Sequence, residues 1–219
     1  KQLDEQLYDD ILVYLQESAD LPSVQSYHLL ASWVIHTYLM EYFDYSPIIV
    51  LLGAPARGKS RLGRALVHAS FRGLHLESLA GPHLIRLATD HNATLFFDVK
   101  NLGKKLRQEQ TLDLLLLRGE RGATTPRVTS AGKGPFLDTR YYRLFGPTII
   151  ATNEVFDDSA FESRTLCLRM QLSQQQFSFP VTPEMALALR ERLTAFRSWH
   201  MGECFLSPDS RFRGRMYDI

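Results

Sequence analysis

Residues 48–60 read Ile48-Ile49-Val50-Leu51-Leu52-Gly53-Ala54-Pro55-Ala56-Arg57-Gly58-Lys59-Ser60. The first five form a continuous apolar run, the pattern of a strand buried on both faces of a parallel sheet. The last eight match G-x-x-x-x-G-K-[ST] in full, the pattern of a loop that cradles phosphates. Its glycines let backbone amides turn inward around an anion, and the helix expected to follow adds the positive end of its dipole. Lys59 has the reach to meet β and γ phosphates, and the Ser60 hydroxyl suits a Mg²⁺ ion. The candidate nucleotide-binding residues are therefore Gly53, Ala54, Pro55, Ala56, Arg57, Gly58, Lys59, Ser60 and Arg61, with ATP and Mg²⁺ as the expected ligands.

Outward from this loop, strands and helices alternate. Arg61 to Ser70 reads as a helix, Leu74 and Leu76 as a short strand, and Leu84 to Asp90 as a helix. Thr94-Leu95-Phe96-Phe97 is a second buried strand, and the Leu-rich stretch from Leu106 to Arg118 reads as one helix. Thr148-Ile149-Ile150-Ala151 and Thr165 to Met170 supply two more strands, Leu166, Leu168 and Met170 sharing a face of the last. Such alternation predicts a mainly parallel sheet covered on both sides, an α/β three-layer αβα fold. Ahead of it, Leu3, Leu7, Ile11 and Leu15 recur every four residues, and Leu30, Val34, Tyr38 and Tyr42 form a second helical stripe. Leu21-Pro22-Ser23 separates these two helices. After the sheet, Thr182-Pro183 predicts a last helix, with Thr182 as N-cap and Pro183 at the first helical position. The expected organisation is a helical preface over 1–46, a P-loop core over 47–172, and a C-terminal helical or lid segment with a basic tail (Arg211, Arg213, Arg215) over 173–219.

Phosphate chemistry needs an acid beside the loop, at the end of a neighbouring strand. Asp98, closing Thr94-Leu95-Phe96-Phe97-Asp98, is the candidate second Mg²⁺ residue after Ser60. Many ATPases follow that Asp with a Glu that activates the attacking water, whereas this chain has Val99 and Lys100. Glu120 and Glu77 are the alternative acids, and the sequence does not choose between them. Thr152-Asn153 ends another apolar strand, so Asn153 is expected to orient water against the γ-phosphate. Arg164, just before the last strand, is a candidate arginine finger, and Arg190 or Arg192 a candidate second sensor.

Between Asp98 and Asn153 lies more chain than the sheet needs. Arg127-Val128-Thr129-Ser130 and Phe136-Leu137-Asp138-Thr139 flank Ala131-Gly132-Lys133-Gly134-Pro135, the pattern of a β-hairpin with Lys133 at its tip. Arg118, Arg121, Arg127, Lys133, Arg140 and Arg143 outnumber Glu120 and Asp138 here, so Lys133, Arg127 and Arg140 are candidate single-stranded DNA contacts. Tyr141 and Tyr142 can either stack on bases or fill the core.

The bulk numbers agree with one medium domain. The chain has 219 residues, 45% hydrophobic and 22% charged, with a net charge of +1. A nucleic-acid contact must therefore come from a local patch. The two cysteines, Cys167 and Cys204, make neither a disulfide framework nor a zinc site, and a reducing compartment is expected. No apolar run is long enough for a membrane span and no signal peptide is apparent. A start at Lys1 rather than Met predicts a piece of a larger protein.

The order of these motifs resembles the AAA+ group, and within it the helicase-like ATPase domains of phage and mobile-element replication proteins. Those domains are often fused to primase modules and are similar to superfamily-three and MCM helicases. The resemblance runs from about Asp4 to Met170 and includes Trp33-Val34-Ile35-His36-Thr37, Leu116-Leu117-Arg118-Gly119-Glu120-Arg121-Gly122-Ala123, and Phe145-Gly146-Pro147-Thr148-Ile149-Ile150-Ala151-Thr152-Asn153-Glu154. It implies a ring, often a hexamer, with ATP at the subunit interfaces. It further implies Arg164 reaching into the neighbouring site and Lys133 lining a channel for single-stranded DNA. A primase or other replication domain is the implied companion, and a bacterial, archaeal or phage-infected cytoplasm the implied setting.

Overall fold

The computed structural model describes residues 4–77, 80–108, 111–128 and 138–202. Lys133, most of the expected hairpin tip, Leu3, Cys204 and the basic tail lie outside the described residues.

Two helices open the chain, α1 (Leu7–Ser18) and α2 (Val24–Leu39). The second begins where Ser23, in extended conformation, accepts a hydrogen bond from the Ser26 amide, a side-chain N-cap. The sheet strands are β1 (Ile48–Leu52), β2 (Leu74–Leu76), β3 (Leu95–Val99), β6 (Thr148–Thr152) and β7 (Thr165–Arg169), all parallel in the order β2-β3-β6-β1-β7. Between them run α3 (Lys59–Ala69), α4 (Gly81–His91), α5 (Leu102–Gln108), α6 (Leu112–Arg118) and the single turn α7 (Ser159–Glu162). The separate antiparallel ribbon is β4 (Thr124–Val128) with β5 (Thr139–Arg143), and α8 (Leu187–His200) ends the described chain.

Period-two alternation sorts the strand residues onto two faces. Ile49, Leu51, Phe96, Ile149, Ala151 and Leu168 point to one side, where α1, α2, α3 and α8 bury their apolar stripes. Val50, Leu52, Leu95, Phe97, Val99 and Ile150 point to the other, against α4, α5 and α6. The result is a three-layer αβα P-loop NTPase fold, with a two-stranded ribbon inserted before β6. The preface helices share the first core: Tyr14 donates to the Ala65 carbonyl and Tyr38 to that of Ala69, each at 3.0 Å. Trp33 Nε1 donates to Pro47 O at 3.1 Å, fixing α2 to the start of β1. Gly63 brings α3 down onto the sheet, since a Cβ there would lie 2.2 Å from the Phe96 ring.

Two expectations need correction. The Leu-rich stretch is two helices, and Thr111, buried between them, donates its amide to Leu106 O at 3.2 Å. Neither Gly nor Pro marks that break, so periodicity alone runs through it. Thr182-Pro183 opens a 3-10 turn (Pro183–Ala186) with no side-chain cap, and α8 starts only after Ala186. The ribbon pairs from Thr124↔Arg143 to Val128↔Thr139, longer at its root than the arms read from sequence, whose residues 129–137 lie outside the described residues. Pro126 fits because this ribbon stands apart from the main sheet.

Candidate nucleotide site

The loop after β1 is shaped at both ends. The Gly53 amide donates to Thr152 O at 3.3 Å, and the Met170 amide donates to Leu52 O at 2.7 Å. A Cβ on Gly53 would lie 2.9 Å from Met170 O, so the chain leaves the sheet there only as glycine. Gly58 has φ +76 and Ala56 φ +60, the second a left-handed conformation in a residue with a Cβ, a strain that clusters at functional loops. The first α3 hydrogen bond runs from the Leu62 amide to Gly58 O at 2.9 Å, leaving the amides of Lys59, Ser60 and Arg61 at the open helix end. These are the donors an anion would take.

Lys59 is only 6% exposed. Its ammonium donates to Ala54 O at 2.6 Å, folding back over the cradle of its own loop. Burial lowers its pKa, Asp98 pulls it back up, and Arg57 pushes it down, with a net lowering. Asp98 is thus within electrostatic reach of the ammonium. The register explains why: Asp98 pairs with Ala151, and both belong to the α3 face of the sheet. Half-buried Asn153 directly follows β6 and so stands at the same end of the sheet. The P-loop, Asp98 and Asn153 therefore share the carboxyl ends of three adjacent strands, β3, β6 and β1, where α/β sheets carry their ligands.

Val99 is on the opposite face, 1% exposed in the cluster with Leu52 and Leu102. A core side chain fills the position where many ATPases carry a carboxylate. For a metal, Ser60 and Asp98 are hard oxygen donors. Among the described residues, no group of three or more His, Cys, Asp or Glu side chains could hold an ion. That donor set fits Mg²⁺, which takes most of its ligands from phosphate oxygens and water.

Several predicted residues lie elsewhere. The Arg61 side chain is committed away from the cradle, Nε donating to Ser18 O at 2.6 Å, Nη1 to Phe179 O at 2.5 Å, with the guanidinium 4.5 Å from the Phe177 ring centre. Only its amide remains for phosphate. Arg164 and Glu120 are at the amino ends of the strands: Ile48 N donates to Arg164 O at 2.9 Å, Glu120 bridges Tyr45, and the two side chains lie 4.0 Å apart. Five-residue strands put this end about 13 Å from the P-loop end at ~3.3 Å per residue. Glu120 therefore cannot activate water in its own chain's site, and Arg164 cannot reach its own chain's phosphates. Arg192 is tied to Asp4 and Asp10 at 2.6 and 2.5 Å. Arg190 acts on Tyr14, Tyr38 and His68, beside the far half of α3. Neither faces the cradle. A broad groove of about 810 Å³ lined by Tyr38, Phe71, Arg72, His91, Arg190 and Thr194 also lies at that far end.

Arg118 counts among the charges of the locally basic stretch in the sequence. It is fully buried, Nε donating to Thr148 Oγ1 (2.7 Å), Nη1 to Leu144 O (3.0 Å), and Nη2 to Ala93 O (3.0 Å) and Pro147 O (2.8 Å). Burial pushes its pKa down to about 9, and four acceptors favour the charged form, so it is a cation at neutral pH. On the hairpin, Arg127 and Arg140 are exposed and directly opposite one another. Tyr142 packs against the core while Tyr141 is 69% exposed.

No described helix is long and apolar enough to cross a membrane. No family model matches the chain and no curated protein matches it. Among solved structures it is similar to the apo form of the NrS-1 C-terminal region at 15% identity and TM-score 0.47, covering 90% of this chain and 45% of that one. An inhibitor-bound JCV helicase is similar at 16% identity and TM-score 0.44, covering 90% and 50%. C. elegans PCH-2 is similar at 18% identity and TM-score 0.43, covering 76% and 46%. The chain spans half or less of the length of these three structures. Its P-loop NTPase fold stands on its own strand order and on the loop between β1 and α3.

Proposed function

We propose that this chain is the ATP-binding and ATP-hydrolysing motor domain of a DNA replication helicase of the mobile-element or phage type, moving on single-stranded DNA as a ring, often hexameric. The observation that carries the reading is the meeting of the P-loop, Asp98 and Asn153 at one end of the sheet. In this reading the loop amides and Lys59 bind the triphosphate, and Ser60 and Asp98 hold Mg²⁺, which supplies positive charge against the phosphate oxygens. Asn153 orients water. Arg164 serves the site of a neighbouring subunit, a role supported by its distance from its own chain's loop.

The DNA element is the hairpin. Two arginines opposed across a ribbon repel one another, and a phosphate between them would relieve that repulsion. Exposed Tyr141, paired with Pro126 on the other ribbon face, offers a surface on which a base can stack. Lys133 at the tip, a primase or other replication domain as companion, and a bacterial, archaeal or phage-infected cytoplasm complete the proposal.

Val99 favours a second reading, an ATP-binding assembly switch that hydrolyses little. Steady-state ATPase with and without single-stranded DNA, together with solution mass in a non-hydrolysable ATP analogue, separates the two. A ring with DNA-stimulated turnover supports the motor. A persistent monomer without stimulation contradicts it and leaves the switch.

A further inference from the structure

Val99 leaves the proposed ATPase site without the carboxylate that many such enzymes place directly after the strand-end Asp. The neighbouring strand supplies one. β2 pairs with β3 as Leu74↔Leu95, His75↔Phe96 and Leu76↔Phe97. One residue further along each chain stand Glu77 and Asp98. Leu74 and Leu76 belong to the core on the α4 side, so alternation directs His75 to the α3 face, the face of Asp98 and Lys59, and Glu77 directly follows β2 at the same end of the sheet. The electrostatics agree with this placement. His75 stacks on Phe96 at 4.6 Å between ring centres. Burial lowers its pKa, Asp98 raises it, Arg64 lowers it and Glu77 raises it, so both carboxylates act on the one ring.

The competing acids are elsewhere. Glu120 sits beside Arg164 at the amino ends of the strands. Glu154 lines a groove with Thr152, Phe156, Cys167 and Arg169 on the opposite face of the sheet. Among the described residues that end the parallel strands, Glu77 and Asp98 are the acids that act on the His75 ring, and in the reading above Asp98 holds Mg²⁺. Glu77 is exposed, with its carboxylate open to water.

We propose that Glu77 is the catalytic residue that orients and deprotonates the attacking water, in the role Val99 cannot fill. The proposal rests on the ATPase reading above. The water oxygen bonds to the γ-phosphorus as the bond from that phosphorus to the β–γ bridging oxygen breaks. The bridging oxygen leaves with its electron pair on ADP, and the water proton passes to Glu77 and from there to the released phosphate.

The test is Glu77→Gln in the full chain with single-stranded DNA, isosteric but unable to accept the proton. The readouts are affinity for a non-hydrolysable ATP analogue, thermal midpoint, and single-turnover hydrolysis. The expected result is unchanged midpoint, unchanged analogue affinity, and hydrolysis slowed on the order of 100-fold or more. Hydrolysis by Glu77→Gln at the parental rate overturns the assignment while leaving the nucleotide site intact. A parent that binds the analogue and shows no hydrolysis also overturns it. A parent that fails to bind the analogue brings down the ATPase reading itself.

Discussion

Arg118 and Thr148 are joined at 2.7 Å inside the protein, the guanidinium having no exposed surface and the hydroxyl sitting at the first residue of β6. The same guanidinium holds the carbonyls of Leu144 and Pro147, which link the hairpin to β6, and that of Ala93, which precedes β3. One side chain thus ties the root of the ribbon to the two strands that carry Asp98 and Asn153. Replacing it by Met would strand several acceptors without donors, each costing about 1–3 kcal/mol. Arg118→Met is expected to lower unfolding free energy by about 3 kcal/mol or more, read by urea denaturation. Arg118→Lys should recover only part of this, because an ammonium cannot span all four acceptors.

His36 gives the fold an acid sensitivity. It is buried, its Nε2 lies 3.0 Å from Ser46 Oγ, and burial lowers its pKa to about 4. The unfolded chain, with an ordinary imidazole near 6.5, binds the proton more readily between those values. Stability is therefore full above about pH 6.5 and falls as pH drops towards 4, by of order 3 kcal/mol at most. His36→Gln should flatten the unfolding free energy across that window, measured by denaturation at a series of pH values.

The β1–P-loop–α3 segment was fully legible, because an apolar strand and a phosphate-loop pattern leave little freedom for the backbone between them. The same held for β3, β6 and β7, whose apolar runs end in polar residues. What sequence could not supply was the end of the sheet at which each acid or arginine stands. Glu77 and Glu120 look alike on the line of sequence, yet Glu77 follows β2 at the phosphate end while an antiparallel bridge to Tyr45 holds Glu120 at the opposite end. A count of charges includes Arg118 without revealing its burial. Its surroundings are backbone carbonyls, which carry no sequence signal. Arg61 follows the loop in sequence, but its long side chain reaches α1 and the segment near Phe179 instead.

The two hairpin tyrosines should separate in function. Tyr141→Ala is expected to weaken single-stranded DNA binding by about 1–3 kcal/mol, the scale of one lost base stack, without loss of stability. Tyr142→Ala should lower the thermal midpoint, because that ring packs against the core. Arg127→Ala and Arg140→Ala should each reduce the slope of log affinity against log salt by about one. Fluorescence anisotropy over a salt series reads both effects, and equal losses for the two tyrosines would remove the stacking role.

Arg164 is expected to work in trans. Arg164→Ala and Lys59→Ala should each be inactive alone, the first keeping its ATP affinity. Mixed rings of the two variants should regain part of the activity, because some interfaces then pair an intact loop with an intact arginine. Steady-state ATPase of mixtures against ratio measures this, and strictly additive inactivity would place the arginine outside the mechanism.

The central claim is that the amides of the Gly53–Ser60 loop and the Lys59 ammonium hold the triphosphate. Calorimetric titration of the parent and Lys59→Ala with a non-hydrolysable ATP analogue and Mg²⁺ tests it most directly. Saturable binding by the parent and its loss in the variant is the predicted result. Equal binding by both, or none by the parent, would contradict the claim.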